Sequence, residues 1–360
     1  MLYTRRDLGK IALAAVPLAK GFGAVDSKFG GVQIGAITYS FRSINDVDEI
    51  IKDMAMIGLG EAELMSNHAE TLAGAPTPAG RGGGAGRGQG GGAGRGQGAG
   101  QAAGQAGGAP GGGGQGRGQG RGPGGPGGQQ ARTPRPLMTE EQIAAARERN
   151  KPMHDWRMSV SMDKFRDVRK KFDDAGIDIA VLCYNMNEAI TDEEIDYGFK
   201  MAKALGARAM SSTTQVSVAK RIKPIAEEHK MMIGFHGHDA TWDPNEFATP
   251  ETFATAMAQS QYFGVNLDIG HFTSANYDAI AYIKEHHDRI TNLHLKDRTR
   301  DHGTNVPWGQ GDTPIKQVLM LLKQGQYGFP ANIEYEYGRP GMDTAIEVTK
   351  CYQFCKDVLS

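Results

Sequence analysis

Two hydrophobic rhythms alternate along the chain. Short unbroken apolar runs read as buried strands, and each is followed by a stretch whose apolar positions return every three or four residues, the period of a helix. The first pair is Val32–Thr38 and Ile44–Ile57. Glu61–Met65 opens the second, which is interrupted before its helical stretches, Thr139–Asn150 and Asp163–Ala175. Ile177–Cys183 with Asp192–Leu205, Ala207–Ser212 with Val216–His229, and Met231–His236 with Pro250–Ser260 form the third to fifth pairs. Val265–Asp268 with Asn276–His287, Ile290–Leu295 with Pro314–Lys323, and Ala331–Tyr335 with Met342–Val358 complete the series. Strand-then-helix alternation predicts a parallel sheet, and eight units in about 280 residues fit a single closed (β/α)8 barrel of the α/β class. An open doubly wound sheet would carry a glycine-rich phosphate turn after its first strand, and Ala36-Ile37-Thr38-Tyr39-Ser40 is not one.

Composition changes this picture at two places. The stretch 74–130, directly after the second strand, holds 29 of the chain's 51 glycines, five arginines, and no acidic or aromatic residue. Such a segment cannot bury enough apolar surface to offset its ordering entropy, so a long disordered insert is expected within the barrel domain. Its Arg-Gly-Gln-Gly repeats lack the aromatics that would stack on bases. The second place is the start of the chain. Arg5-Arg6-Asp7-Leu8-Gly9-Lys10 precedes the apolar run Ile11–Ala19 and a small-residue region ending at Ala24. That order resembles a twin-arginine export signal, with residues 25–360 as the barrel domain and the periplasm as the expected location. No other segment is apolar enough to cross a membrane, so no membrane partner is expected once the signal is removed. Outside both segments the chain has 31 basic against 40 acidic residues. A net-acidic body argues against a nucleic-acid partner. Three cysteines cannot build a disulfide framework.

Candidate chemistry gathers where the last four strands end. In a barrel of this kind reactive groups sit at the C-terminal rim. The strand ends read Phe235-His236-Gly237-His238, Leu267-Asp268-Ile269-Gly270-His271, Leu293-His294-Leu295-Lys296-Asp297 and Ile333-Glu334-Tyr335-Glu336. Counted from each strand's start, His236, Asp268, His294 and Glu334 fall at one height, and two imidazoles with two carboxylates suit one divalent ion such as Mn²⁺, Zn²⁺ or Co²⁺. His238 and His271 lie near as acid–base groups. Trp156, Trp242 and Trp308 fall in loops after strands, where each could stack on a ligand ring or fill the core.

Asn266-Leu267-Asp268-Ile269-Gly270-His271, Leu293–Asp297, Trp308-Gly309-Gln310-Gly311-Asp312 and Ile333–Glu336 resemble the xylose-isomerase-like barrels, and more narrowly the sugar phosphate isomerase/epimerase group. The resemblance implies a divalent ion, Mn²⁺ first, on a Glu, an Asp, a His and a Glu from strands five to eight. Carried over, these are Asp268, His294 and Glu334, with Glu336 as a register alternative. It further implies that His271 and Arg300 contact substrate. Trp308, which lies in the matching loop, and Glu336 join them as substrate-binding candidates.

Strand five departs from the family pattern, having His236 where the group has Glu. In that group two of the ligating carboxylates, the strand-five Glu among them, also move protons, one on each face of the sugar. With one of them missing, the resemblance implies one-base chemistry next to a metal-polarised carbonyl, with Glu334 as base and His238, His271 or Lys296 as proton donor. An isomerase or epimerase acting on a small carbohydrate is the leading reading. The alternatives are a lyase or dehydratase on a keto-glycoside or inosose, and a sugar-binding barrel without catalysis. A related endonuclease barrel would need more metal ligands on the early strands and a basic groove. The sequence leaves homo-oligomerisation open.

Overall fold

Unbroken apolar strands need cover on both faces, and a ring of helices provides it. The computed structural model describes residues 24–76, 133–338 and 341–360. The export-signal residues before Ala24 and most of the glycine-rich insert lie outside the described residues. The first residues of the expected insert are part of the fold: Gly74 turns the chain at φ +90°, and the Ala75 amide donates to the Glu70 carbonyl at 2.9 Å.

The barrel strands are β1 (Val32–Ile37), β2 (Glu61–Met65), β3 (Asp178–Cys183), β4 (Ala209–Ser212), β5 (Met232–His236), β6 (Phe263–Asp268), β7 (Ile290–Leu295) and β8 (Ala331–Ile333). Each pairs in parallel with the next, and β8 returns to β1 through Ile34–Ala331 and Ala36–Ile333, which closes the cylinder. A two-residue strand, Lys28–Phe29, precedes β1 and pairs with it antiparallel. The helices are α1 (Val47–Ile57), α2 (Ser66–Leu72), α3 (Glu140–Ser159), α4 (Asp163–Asp174), α5 (Asp192–Ala204), α6 (Val216–His229), α7 (Pro250–Met257), α8 (Ile269–Ser274), α9 (Ala279–His286), α10 (Ile315–Gly325) and α11 (Thr344–Leu359). The expected α/β barrel is therefore the observed one.

Local chemistry sets the helix ends. Thr191 and Glu194 form a reciprocal capping box at α5, and Thr139 and Gln142 do the same at α3. Gly58 ends α1 in the left-handed region at φ +95°, where a side chain would be strained. Gly234, inside β5, has a different reason: an added Cβ would sit 2.0 Å from Thr291 Oγ1 and 2.8 Å from the Asn266 amide. Two elements differ from the sequence expectation. The amphipathic stretch from Thr139 continues to Ser159 through Pro152, so Trp156 is helical and packs edge-on against Phe165 instead of lying in a rim loop. The six-residue helix α8 follows β6 directly.

Arg157 ties helix α3 to two other helices. Arg157 Nε lies 2.7 Å from Glu70 Oε1 on α2, and its Nη1 lies 2.9 Å from Glu194 Oε1 on α5. Its guanidinium also stands 5.4 Å from the Tyr184 ring centroid. Chain before and chain after the glycine-rich insert thus meet at one buried ion triad. Cys351 and Cys355 are buried on α11 as small apolar residues.

Candidate metal centre and active site

Strand register brings the four rim residues level. His236 pairs with Asn266, Asp268 with His294, and His294 with Asn332, while the Glu334 amide donates to the Leu295 carbonyl at 3.1 Å. As a result one ligand atom from each of His236, Asp268, His294 and Glu334 falls within 4.8 Å of the other three, and all four side chains are buried. Asp268 does two things. Its Oδ1 accepts the His271 amide at 2.7 Å and so caps α8, which leaves Oδ2 turned to the mouth, 2.9 Å from Lys296 Nζ.

The charges around these residues are tightly balanced. Lys296 Nζ is 2.9 Å from Glu334 Oε2 and 2.7 Å from Glu336 Oε2 as well. Burial opposes the charge on Lys296, but Asp268, Glu334 and Glu336 outweigh it and hold the ammonium well above its ordinary pKa. Burial also opposes the charge on His294, yet Glu63 and Glu334 raise its pKa well above the usual histidine value. The converse holds at Glu334: burial would raise it, and Lys296 and His294 hold it well below the usual carboxylate range. His236 is pushed well below by burial and by its neighbours His294 and His238, so it is a neutral ring.

These residues fit a divalent ion. His236 Nδ1 is buried without a hydrogen-bond partner, which is the condition of a ligand atom awaiting a cation. His294 Nδ1 lies 2.8 Å from Glu334 Oε2 in the same cluster, while its Nε2 lies 2.6 Å from Glu63 Oε2 behind it. Glu63 thus backs the ring through Nε2 while Nδ1 faces the cluster, the support that would fix the ring and tautomer of a ligating histidine.

Glu63 carries a role that sequence reading did not assign to it. It lies inside the barrel on β2 with no exposed surface. It accepts hydrogen bonds from Asn292 Nδ2 at 2.8 Å, Asn332 Nδ2 at 3.0 Å and Asn266 Nδ2 at 3.3 Å, and from the Ser211 hydroxyl. Its partners come from four other strands, so nothing in the local sequence signals it beyond the period-two placement of Glu61, Glu63 and Met65. Glu63→Gln should keep the fold but weaken divalent-ion affinity by roughly 10- to 100-fold, the usual worth of such a supporting carboxylate. Chelator competition measures this. Unchanged affinity would mean that His294 does not ligate through Nδ1.

The remaining candidates divide into two groups. His238 and His271 join the mouth, their rings 4.9 Å and 6.0 Å from that of His236, with His238 Nδ1 3.0 Å from Glu246 Oε1. Glu336 reaches Lys296 and accepts from Asn305 Nδ2 at 3.4 Å. Arg300 is exposed, and its backbone amide bonds Asp312. The arginine that does enter the site is Arg298, against His271 Nδ1 and 3.0 Å from Asp239 Oδ2. Trp308 is half-buried, edge-on to Phe354, and lines a cavity of about 600 Å³ with Asn305, Tyr337 and Lys350. Trp242 stands edge-on to His302 after β5. Across the mouth from the charged rim, Ile37, Met65 and Cys183 with Tyr39 form a separate apolar cluster.

Residues 148–352 match the family described as xylose isomerase-like TIM barrel, which is more than half of the chain. The chain belongs to that family. Among solved structures it resembles a sugar phosphate isomerase/epimerase from Parabacteroides distasonis, at 14% identity and TM-score 0.54, over 95% of this chain and 100% of that one. It also resembles a 3-keto-D-glucoside 4-epimerase from E. coli, at 8% identity and TM-score 0.51, over 90% and 100%. At these identities the likeness is one of fold. No functionally curated protein matches the sequence significantly. Among the described residues, no helix is long and apolar enough to cross a membrane.

Proposed function

We propose that the protein is a divalent-metal-dependent enzyme that removes a proton next to the carbonyl of a sugar or keto-sugar. The observation that carries this reading is the convergence of His236, Asp268, His294 and Glu334 within 4.8 Å at the barrel mouth. These four would hold the ion, and Mn²⁺, Zn²⁺ or Co²⁺ suits two nitrogens and two oxygens. When bound, the ion supplies Lewis-acid polarisation of the substrate carbonyl.

The residues themselves define the rest. Glu334 takes the proton from the carbon beside the carbonyl. Lys296, held charged by three carboxylates, faces the negative charge that develops on the substrate oxygens. Its high affinity for its own proton suits it to electrostatic work more than to proton exchange. With histidine at the strand-five position, the quartet's carboxylates are Asp268 and Glu334, and Asp268 is taken up by the His271 amide and by Lys296. Glu334 therefore returns the proton to the same face of the former carbonyl carbon, while the hydroxyl proton on the first carbon passes to the former carbonyl oxygen, which is isomerisation. Alternatively it keeps the proton while the C–O bond one carbon further on breaks and His238, held protonated by Glu246, gives its proton to the leaving oxygen, which is elimination. The apolar wall of Ile37, Met65, Cys183 and Tyr39 suits the less polar face of a ring or an aglycone. The twin-arginine-like start supports export, and outside the cytoplasm a free sugar or keto-glycoside is a more plausible substrate than a sugar phosphate.

Solvent-deuterium exchange is the test. Metal-loaded protein incubated with a panel of ketoses and 3-keto-glycosides in D₂O should label one α-carbon of at least one compound, and chelator should stop the exchange. Metal binding without exchange into any member would favour a sugar-binding barrel over an enzyme.

A further inference from the structure

Beside the mouth, the loops after β7 and β8 and helix α11 enclose a cavity of about 600 Å³, within the size range of small-molecule sites. One residue joins it to the charged rim. Asn305 lines the cavity, and its Nδ2 donates at 3.4 Å to Glu336 Oε2, the oxygen that lies 2.7 Å from Lys296 Nζ. Given a carbohydrate substrate at the quartet, as the proposed function has it, we propose that this cavity receives an uncharged hydroxylated ring. That ring is the second ring of a glycoside whose first ring lies at the quartet.

Three observations carry this. Trp308, Tyr337 and Phe354 give the cavity an aromatic wall, with Phe354 edge-on to the indole at 5.6 Å. Such a wall suits the C–H face of a sugar ring, while the ring's hydroxyls need donors and acceptors. Secondly, Trp308 Nε1 is a buried donor without a hydrogen-bond partner, and Asn305 Oδ1 is a buried acceptor without one. Glu336 can only accept, so it turns the Asn305 amide with Nδ2 toward itself and leaves the oxygen unpaired. Buried polar groups are nearly always paired, so an orphaned donor and acceptor on two lining residues point to a ligand that bears hydroxyls. Thirdly, the charged residues of the lining are Glu347 and Lys350, and their ion pair at 2.6 Å cancels them. The Tyr337 hydroxyl engages Glu347 as well, at 3.3 Å. Among the described lining residues no cation is left over for a phosphate, and a purely apolar ring would leave Nε1 and Oδ1 unpaired.

Isothermal titration calorimetry of the metal-loaded protein tests this. The probes are methyl β-glucoside, methyl β-cellobioside, methyl β-maltoside, trehalose and p-nitrophenyl β-glucoside, which have no keto group and so bind without turning over. At least one two-ring sugar should bind roughly tenfold or more tightly than methyl β-glucoside, the worth of a ring stack and an added hydrogen bond. Trp308→Ala should lower that affinity ratio roughly tenfold. Trp308→Phe keeps an aromatic ring and removes the N–H, and should lower it by roughly 2- to 10-fold. Equal affinity for one-ring and two-ring sugars, or a ratio that Trp308→Ala leaves unchanged, would overturn the second-ring site. So would p-nitrophenyl β-glucoside bound as tightly as the best two-ring sugar with no effect of Trp308→Phe, which would assign an apolar aglycone instead. No binding of any sugar would overturn the carbohydrate reading and the second-ring site together. A two-ring preference without deuterium exchange into any keto-sugar would support the site and overturn only the enzyme reading.

Discussion

Glu334→Gln should lower turnover by a factor of about 10² or more while the protein stays folded, the usual worth of a positioned general base. The substitution keeps the side-chain shape and removes a carboxylate that lies 2.8 Å from His294 Nδ1 and 2.9 Å from Lys296 Nζ. Amide in place of carboxylate removes the proton acceptor and one charged ligand together. Two readouts separate these effects. Metal affinity measured by dialysis reports the ligand, and solvent-deuterium exchange into the substrate at saturating metal reports the base. Exchange that survives Glu334→Gln at full metal occupancy would assign the base elsewhere, with Glu336 and His238 the next residues to test.

Arg157→Leu should cost about 3–5 kcal/mol of unfolding free energy, the usual penalty for removing one partner of a buried ion group. Glu70 and Glu194 are 2% and 6% exposed, so the substitution leaves two carboxylates buried without their cation. The guanidinium also stands over the Tyr184 and Tyr197 rings, at 5.4 Å and 5.9 Å from their centroids, contacts that leucine replaces only in part. Denaturant unfolding measures the loss, and adding Glu70→Gln and Glu194→Gln should restore part of it. A change below about 1 kcal/mol would show that the triad is as weak as an exposed pair.

Much of this architecture is legible in the sequence because barrel strands are short, unbroken and apolar. Ile290–Leu295 and Val216–His229 are read from periodicity with the bounds that the structure gives them. The quartet is legible for a related reason: parallel strands in register put residues at equal heights into one layer, so strand-end position becomes spatial proximity. What escapes is whatever depends on several strands at once. Glu63 has five hydrogen-bonding partners spread over β4, β6, β7 and β8, and its own segment says only that it faces inward. Arg298 and Arg300 are both rim residues by sequence. The loop after β7 turns Arg298 inward onto Asp239 and leaves Arg300 in solvent. Helix α8 escapes because six residues are too few to establish a period, although Asp268 as its cap is a local signal. Trp156 escapes because Pro152, an ordinary stop signal, lies inside a helix that continues past it.

The proposed chemistry depends first on the ion. Elemental analysis of protein purified without added metal, together with thermal melting on adding Mn²⁺ or Zn²⁺, tests this directly. At least one equivalent of a divalent ion is expected in the wild type, with a rise in Tm on metal addition to stripped protein. Both should be lost in Asp268→Asn and in His294→Gln. Less than about a tenth of an equivalent, with no gain in Tm on adding either ion at concentrations that should saturate a tight site, would contradict a metal centre at the barrel mouth.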